Sequence, residues 1–416
     1  MNPREQRGVI IAALCKLAPK EGRWVVPSQT AGDKQYVVNV KAGTCTCPDH
    51  AETGLKCKHL YAVEFTMRRE LAADGTVTET RSLTFTEAKV YRQDWPAYNA
   101  AQATEKKRLQ ILLADLCRYL PEPEREPKPG PKPHLVRDAV FAMAFKVYCG
   151  FSARRFSTDL LEAHECGYLT RPIPGMKVTA FHENAEYTPI LTELIAKSAA
   201  PLAAVETNFA VDSTGFSSSR FERWYDQKYG VTRQRCLWIK AHVACGVKTN
   251  VVTAVRILEK DSGDSPQLAP LVKETARHFT IGEVSADKAY ASAENFETVA
   301  QHGGMGFMAF KSNTTGGVGG LFEKAFHYFC FNRDEYLSHY HKRSNVESTF
   351  SAIKRKFGDS VRSKTDTAMK NEVLCKLLCH NLCCLIQEQE ELGISPMFWK
   401  HEQAEMTTGL RFPTRA

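Results

Sequence analysis

No stretch of the 416-residue chain supplies the ~20 uninterrupted apolar residues of a membrane helix; Leu374 to Ile386 is broken by Lys376, His380 and Asn381. A membrane-embedded protein is not expected. The apolar stretch Val9 to Cys15 barely reaches the length of a signal-peptide core and Lys16 cuts it, so a short helix is expected there. The fourteen cysteines lack the pattern of a secreted disulfide framework; most are scattered singly, as buried thiols are in a reducing cytosol. Internal repeats are also absent. The charge excess is small: 55 Lys and Arg against 47 Asp and Glu leave +8, compatible with a polyanionic partner without demanding one. With 43% hydrophobic and 25% charged residues, neither global disorder nor a collagen-like chain is plausible. The length suggests two or three folded units.

One group of cysteines stands apart. Cys45 and Cys47 are separated by one residue, nine residues intervene, and Cys57 and His59 follow at the same short spacing. Three thiolates and one imidazole make a closed tetrahedral set suited to structural zinc, with no position left for water. Tyr36 to Val40 alternates like a strand before the site, and Leu60 to Leu71 reads as a helix leaving it. A module of about 70 residues needs such a staple, because it buries too little apolar surface alone. The spacing resembles the SWIM zinc finger, which implies binding to nucleic acid or protein.

Asp94 to Leu120 has helical periodicity, with Leu109, Leu112, Leu113 and Leu116 on one side and Lys106, Lys107 and Arg108 near its middle. Residues 76–120 are read as a strand and helix connector after a finger module at 1–75. At 121–133 the sequence PEPEREPKPGPKP favours extended, hinge-like chain. Its Lys128, Gly130 and Lys132 are either plain linker or a minor-groove arm of the AT-hook type. His134 to Leu169 and Thr179 to Ala196 read as helices of a DNA-binding region at 134–205, where Arg154 and Arg155 could reach phosphate.

From Glu206 the pattern changes. Strands are expected at Asn208 to Val211, Leu237 to Cys245, Val251 to Leu258, Ile281 to Ala286 and Gly306 to Phe310. Helices are expected at Gln267 to Phe279, Ala293 to Gln301 and Asp334 to Phe357. The order βββαβαβα, an antiparallel hairpin before parallel crossovers, is the order a ribonuclease H-like fold requires. The fold class is therefore α/β: a mixed sheet flanked by helices over 206–390, after a small zinc finger and a helical middle region and before a tail at 391–416. Trp238 is expected in the core. Cys375, Cys379, Cys383 and Cys384 with His380 are read as a buried helix rather than a second metal site, because leucines interleave them.

Asp212 and Asp287 follow apolar strands. Parallel neighbours lie about 4.8 Å apart, so acids at their ends can share a metal ion. Glu347 is the candidate third acid. Counting from Tyr340 at ~100° per residue, Arg343, Glu347 and Lys354 fall at roughly −60°, −20° and −40°, one narrow helical face. This Tyr, Arg, Glu, Lys spacing, with VDSTG at Val211 to Gly215 and ADKAY at Ala286 to Tyr290, resembles the bacterial insertion-sequence transposases with a DDE catalytic domain.

The resemblance covers roughly residues 134–390. It implies two magnesium (or manganese) ions held by Asp212, Asp287 and Glu347, with DNA phosphates held by Arg343 and Lys354 and the strand positioned by Tyr340. It further implies binding of terminal inverted repeats, hydrolysis that frees a 3′ hydroxyl, and transfer of that hydroxyl into target DNA. A homodimer or larger synaptic assembly at the bacterial nucleoid in the cytoplasm would be expected. The interval between Asp287 and Glu347 leaves little room for the large β-rich insertion some relatives carry there. A domesticated DNA-binding descendant and a metal-dependent nuclease without strand transfer stand as alternatives.

Overall fold

The computed structural model describes residues 2–15, 17–20, 22–29, 34–71, 77–80, 94–124, 129–130, 132–218, 238–259 and 263–399. Lys128 of the proline-rich arm and the tail beyond 399 lie outside the described residues. The chain forms two compact units, one of Met1–Arg92, Ala291–Glu297 and Phe307–His341, the other of Gln93–Tyr290, Thr298–Gly306 and Lys342–Ala416.

The first unit opens with α1 (Pro3–Leu14), started by an Asn2 and Glu5 capping box with proline at its first turn. Strands β1 (Ala18–Lys20), β2 (Arg23–Pro27), β3 (Gln35–Asn39) and β4 (Thr44–Cys45) follow as an antiparallel meander. Helices α2 (Pro48–Thr53) and α3 (Lys58–Thr66) come next, then the hairpin β5 (Arg68–Leu71) and β6 (Val77–Thr80). Trp24, Val26, Val38, Ile11, Leu60 and Val63 bury the module's small core. Gly8 lets α1 approach α3 closely: a Cβ there would lie 2.4 Å from Tyr61 Cβ.

The second unit begins with α4 (Trp95–Cys117), α5 (Val136–Cys149), α6 (Ala153–Glu165), α7 (Lys177–Glu183) and α8 (Tyr187–Ala199). The basic run on α4 is tied into the fold, since Lys106 pairs with Asp159 at 2.9 Å and Arg108 with Glu390. Next come β7 (Asn208–Ser217), β8 (Trp238–Gly246), β9 (Val252–Glu259), α9 (Ser265–Thr275), β10 (Glu283–Ala286), α10 (Ala293–Gln301) and β11 (Met305–Met308). Helices α11 (Gly320–Phe331) and α12 (Arg333–Tyr340) fall in the first unit, and α13 (Ser344–Phe357) and α14 (Asp366–Glu391) complete the second.

The sheet runs β11-β10-β7-β8-β9, with β7 antiparallel to β8 and parallel to β10. With the first strand central and the hairpin to one side, this is the ribonuclease H-like arrangement expected from the sequence. The buried helix α14 packs against α4, α5, α7, α8 and β9, so the helices before residue 205 share one unit with the sheet. Its leucines and Cys375 and Cys379 are buried as expected, and burial pushes both thiols well above their ordinary range.

Four expectations need correction, the first being the helix from Leu60 to Leu71, which stops at Thr66 and gives way to the strand β5 at Arg68–Leu71. Helix α11 was not foreseen: its run LFEKAFHYFCF is dense in aromatics on most sides, although Phe322, Phe326, Phe329 and Cys330 recur at helical spacing and form its buried face. In the first unit Phe322, Phe326 and Phe329 of α11 pack around Phe310 with ring centroids 5.2–5.5 Å apart. The single helix from Asp334 to Phe357 is two helices joined by a 3₁₀ turn at His341–Arg343. Trp238 is 52% exposed rather than core. It starts β8 opposite Ser217, where β7 ends, and its ring covers Gly215, whose added Cβ would lie 2.9 Å from it.

Candidate functional site

Two sites gather the residues singled out in the sequence. In the finger, Cys45 ends β4, Cys47 caps α2 and Cys57 caps α3, two residues before buried His59. Two thiols at helix starts face backbone N–H groups; that of His50 points at Cys47 Sγ at 3.4 Å. The four donor atoms lie within 4.8 Å of one another, and His59 Nδ1 is 3.8 Å from Cys45 Sγ and 3.9 Å from Cys57 Sγ. A tetrahedral zinc with metal–sulfur bonds of ~2.3 Å has edges of about 3.8 Å, so the set fits the ion. Donation from Cys45, then from His59, pulls Cys57 down to about 3 against the effect of burial, while Cys45 is pushed up by the neighbouring Cys57 thiolate.

The acidic site belongs to the sheet. Register pairs Ala286 of β10 with Val211 of β7, so Asp287 follows the last paired residue and comes next to Asp212. Asp212 is not at a strand end, as the sequence suggested. It lies midway along β7, where the parallel ladder stops and the antiparallel pairing with β8 continues to Ser217. Only the β10 side opens, because β10 is four residues long against ten for β7.

Glu347 lies in the first turn of α13, and Arg343 lies in the preceding 3₁₀ turn. The Arg343 guanidinium bridges two of the acids, with Nη1 2.9 Å from Asp212 Oδ2 and Nη2 2.7 Å from Glu347 Oε1. Asp212 Oδ1 accepts the Ser213 N–H at 2.8 Å. Side-chain exposure is 22% for Asp212 and Arg343 and 59% for Glu347, so the bridge is open to solvent on the glutamate side. Lys354, lowered by burial, holds its ammonium 5.6 Å from the Phe216 ring centre, and Phe216 shares the β7 face of Asp212.

Tyr340 ends α12 in the first unit, whereas Arg343, Glu347 and Lys354 belong to the second. The regular 100° count therefore holds within α13 for Glu347 and Lys354 but not back to Tyr340. A 3₁₀ turn rotates ~120° per residue, and three such residues add roughly 60°.

The three acids form no closed ligand cluster among the described residues; Cys45, Cys47, Cys57 and His59 do. The acids nevertheless suit a hard divalent ion: two are held around one cation, Arg343, and their donors are all oxygen. The other face of the sheet carries polar residues the sequence reading passed over. Asp264 takes an ion pair from Lys240 at 2.6 Å and lies 3.4 Å from Ser213 Oγ, while buried His242 lies 3.4 Å from Tyr290 Oη. Period-2 alternation around Asp212 was the available signal, since it sends Ser213 and its partner His242 to that face.

Cys384 and His380 do not make a second metal site. His380 Nε2 is 2.9 Å from the Asn250 carbonyl, and Cys379 Sγ donates to Ala144 O at 3.2 Å. Lys356 pairs with Glu105, and Arg355 donates to Ser351 at 2.8 Å. Among the described residues no helix is long and apolar enough to cross a membrane.

A family model described as the transposase DDE domain matches residues 204–382 and takes in the three acids with Tyr340, Arg343 and Lys354. The SWIM zinc finger model matches residues 36–67 and takes in all four zinc donors. No curated protein and no solved structure matches the chain. The chain thus carries a transposase DDE domain, which implies divalent metal use, together with an N-terminal SWIM zinc finger whose Cys₃His set implies zinc.

Proposed function

We propose that the protein is the transposase of a bacterial insertion sequence, cutting at the terminal inverted repeats of its element and joining the freed ends to target DNA. The observation that carries this reading is the convergence of Asp212 and Glu347 on one guanidinium, beside the register position of Asp287, in a domain of matching family. Asp212, Asp287 and Glu347 would hold two magnesium or manganese ions, which supply activation of the nucleophile and stabilisation of the leaving oxygen.

The chain's own residues do the rest. Arg343, released from the acids, turns its paired donors to a phosphate, for which its planar fork is suited. Lys354 adds a point charge further along α13, and Tyr340 steadies the strand. Water attacks the phosphodiester at the element's end and leaves a 3′ hydroxyl; that hydroxyl then attacks a target phosphodiester, and one bond forms as one breaks. The finger, the proline-rich arm and the α4–α8 helices supply duplex contacts, and two bound ends bring at least two copies together in the cytoplasm. The interval between β11 and α13 contains α11 and α12 rather than a large β-rich insertion, which supports a second-strand route without residues from such an insertion.

The test incubates the purified chain and Glu347→Gln with magnesium or manganese, DNA carrying the element boundary and a target plasmid, then maps every new 3′ end. Cutting at the boundary with joining by the wild type alone is expected. Binding without cutting by either protein favours a domesticated DNA-binding descendant, and cutting without joining favours a nuclease.

A further inference from the structure

The second unit holds a cavity of about 150 Å³ bordered by the end of α5, by α7, by Phe357 at the end of α13 and by the first turns of α14. Its charged lining is Lys146, Arg362, Lys376 and Glu372. The single carboxylate does not neutralise the three cations. Glu372 accepts the Arg362 N–H at 3.0 Å and the Ser363 N–H and hydroxyl at 2.8 and 2.7 Å, so its charge is committed to the loop backbone. Buried Lys376 donates to Gly358 O at 2.9 Å and Ser360 O at 2.7 Å.

Two groups are left over. The half-buried Lys146 ammonium has no hydrogen bond or ion pair among the described residues, and burial is the main influence lowering its pKa. His182, buried, has its Nδ1 2.9 Å from the Val178 carbonyl, which leaves Nε2 without a partner as an acceptor. An unpaired ammonium and an orphaned ring nitrogen in one lining are costly unless a ligand meets both. A tetrahedral oxyanion with a water does so, and the volume is sufficient, since one water occupies ~30 Å³.

Position also matters. Phe357 lies about 15 Å along α13 from Glu347 at ~1.5 Å per residue. A DNA strand rises ~3.4 Å per nucleotide along its axis, so this separation corresponds to the rise of about four to five nucleotides and is short enough for DNA at the acids to extend this far.

We infer that this cavity is a phosphate subsite, with a backbone phosphate of the bound DNA as its ligand and free phosphate as the other source of the same chemistry. Only the identity of the strand rests on the transposase reading. A phosphodiester has no proton for His182 Nε2 and needs a bridging water, whereas free hydrogen phosphate brings its own.

The test uses the full zinc-loaded chain with Lys146→Met and with Thr179→Glu, which adds charge at the exposed rim without entering the core. Binding of a fluorescein-labelled duplex is followed by anisotropy across a salt series, and Tm is measured with and without inorganic phosphate. In the absence of phosphate Thr179→Glu should keep the wild-type Tm, and Lys146→Met should keep or raise it. A backbone phosphate predicts about 5–10-fold weaker duplex binding in both variants and a salt slope lower by about one in Lys146→Met. A phosphate-induced Tm rise lost in Lys146→Met, with an unchanged DNA slope, assigns the subsite to free phosphate. Wild-type DNA binding in both variants with no phosphate effect on Tm overturns the inference. Glu347→Gln, measured in parallel, should lose cutting while keeping the wild-type slope, so failure of the catalytic reading shows separately.

Discussion

Replacing Arg343 by Gln removes the cation that Asp212 and Glu347 share, and the effect on metal binding can be worked from the geometry. The two bonds, at 2.9 and 2.7 Å, are charge-assisted contacts of the kind worth ~1.5–3 kcal/mol when sheltered. Glu347 is 59% exposed, which brings its share toward the ~0.2–1 kcal/mol of surface pairs, while Asp212 at 22% keeps more. A divalent ion entering between these acids must displace about 1–2 kcal/mol of existing attraction. Arg343→Gln should therefore tighten manganese binding to the DNA-free protein by about 5–30-fold, read by calorimetry. The same variant should bind a duplex more weakly, with a salt slope lower by about one, because the released fork is the proposed phosphate contact. Unchanged or weaker manganese binding in a variant of wild-type Tm would refute the idea that Arg343 and the metal compete for the same oxygens.

Cys57→Ser should abolish stoichiometric zinc, measured with a chromophoric chelator, and should unfold the finger, because metal binding of this type supplies ~10–16 kcal/mol of folding free energy. Burial, reinforced by Lys240, holds His242 neutral and lowers its pKa from 6.5 to about 4. The unfolded chain then binds more protons between those values, so stability falls as pH drops through that window, on the order of 3 kcal/mol in all. Thermal melts of His242→Gln should show a flatter pH dependence there; an unaltered slope would rule His242 out as its source. Tyr336→Phe should cost about 1–3 kcal/mol in denaturant unfolding, because the hydroxyl both donates to Met308 O at 2.8 Å and accepts the Met308 N–H at 3.0 Å.

Much of this site was legible in the sequence because its parts are local. The zinc donors lie within fifteen residues and announce themselves by spacing, and the two strands that lead to the aspartates, β7 and β10, each show an apolar run before the acid. What was not legible depends on partners distant in the chain. That β7 continues past Asp212 is decided by β8, which pairs with it as far as Ser217, so apolar content near Val211 could not mark the strand's end. The 3₁₀ turn before α13 breaks no pattern of residue types, and only backbone geometry reveals the altered rotation. Trp238 looked like core because tryptophan usually is, and its exposure follows from its place at the start of β8, opposite the last residue of β7, and from the room left by Gly215. The Arg343 bridge lay within reach of the spacing to Glu347, but its second arm to Asp212 required the tertiary fold.

The side chain of Asn381 on α14 has a further consequence. Its Oδ1 accepts the Val252 N–H at 2.8 Å and its Nδ2 donates to the Val252 carbonyl at 2.7 Å, so a side-chain amide imitates one residue of a neighbouring strand at the free edge of the sheet. An exposed edge is a template on which another chain can add a strand and begin to aggregate. At Val252 that template is already filled from within the same molecule, just where β9 begins. Any two copies that meet at high local concentration are thus denied strand-to-strand adhesion at this point, and α14 shields the edge of the sheet as well as covering its core.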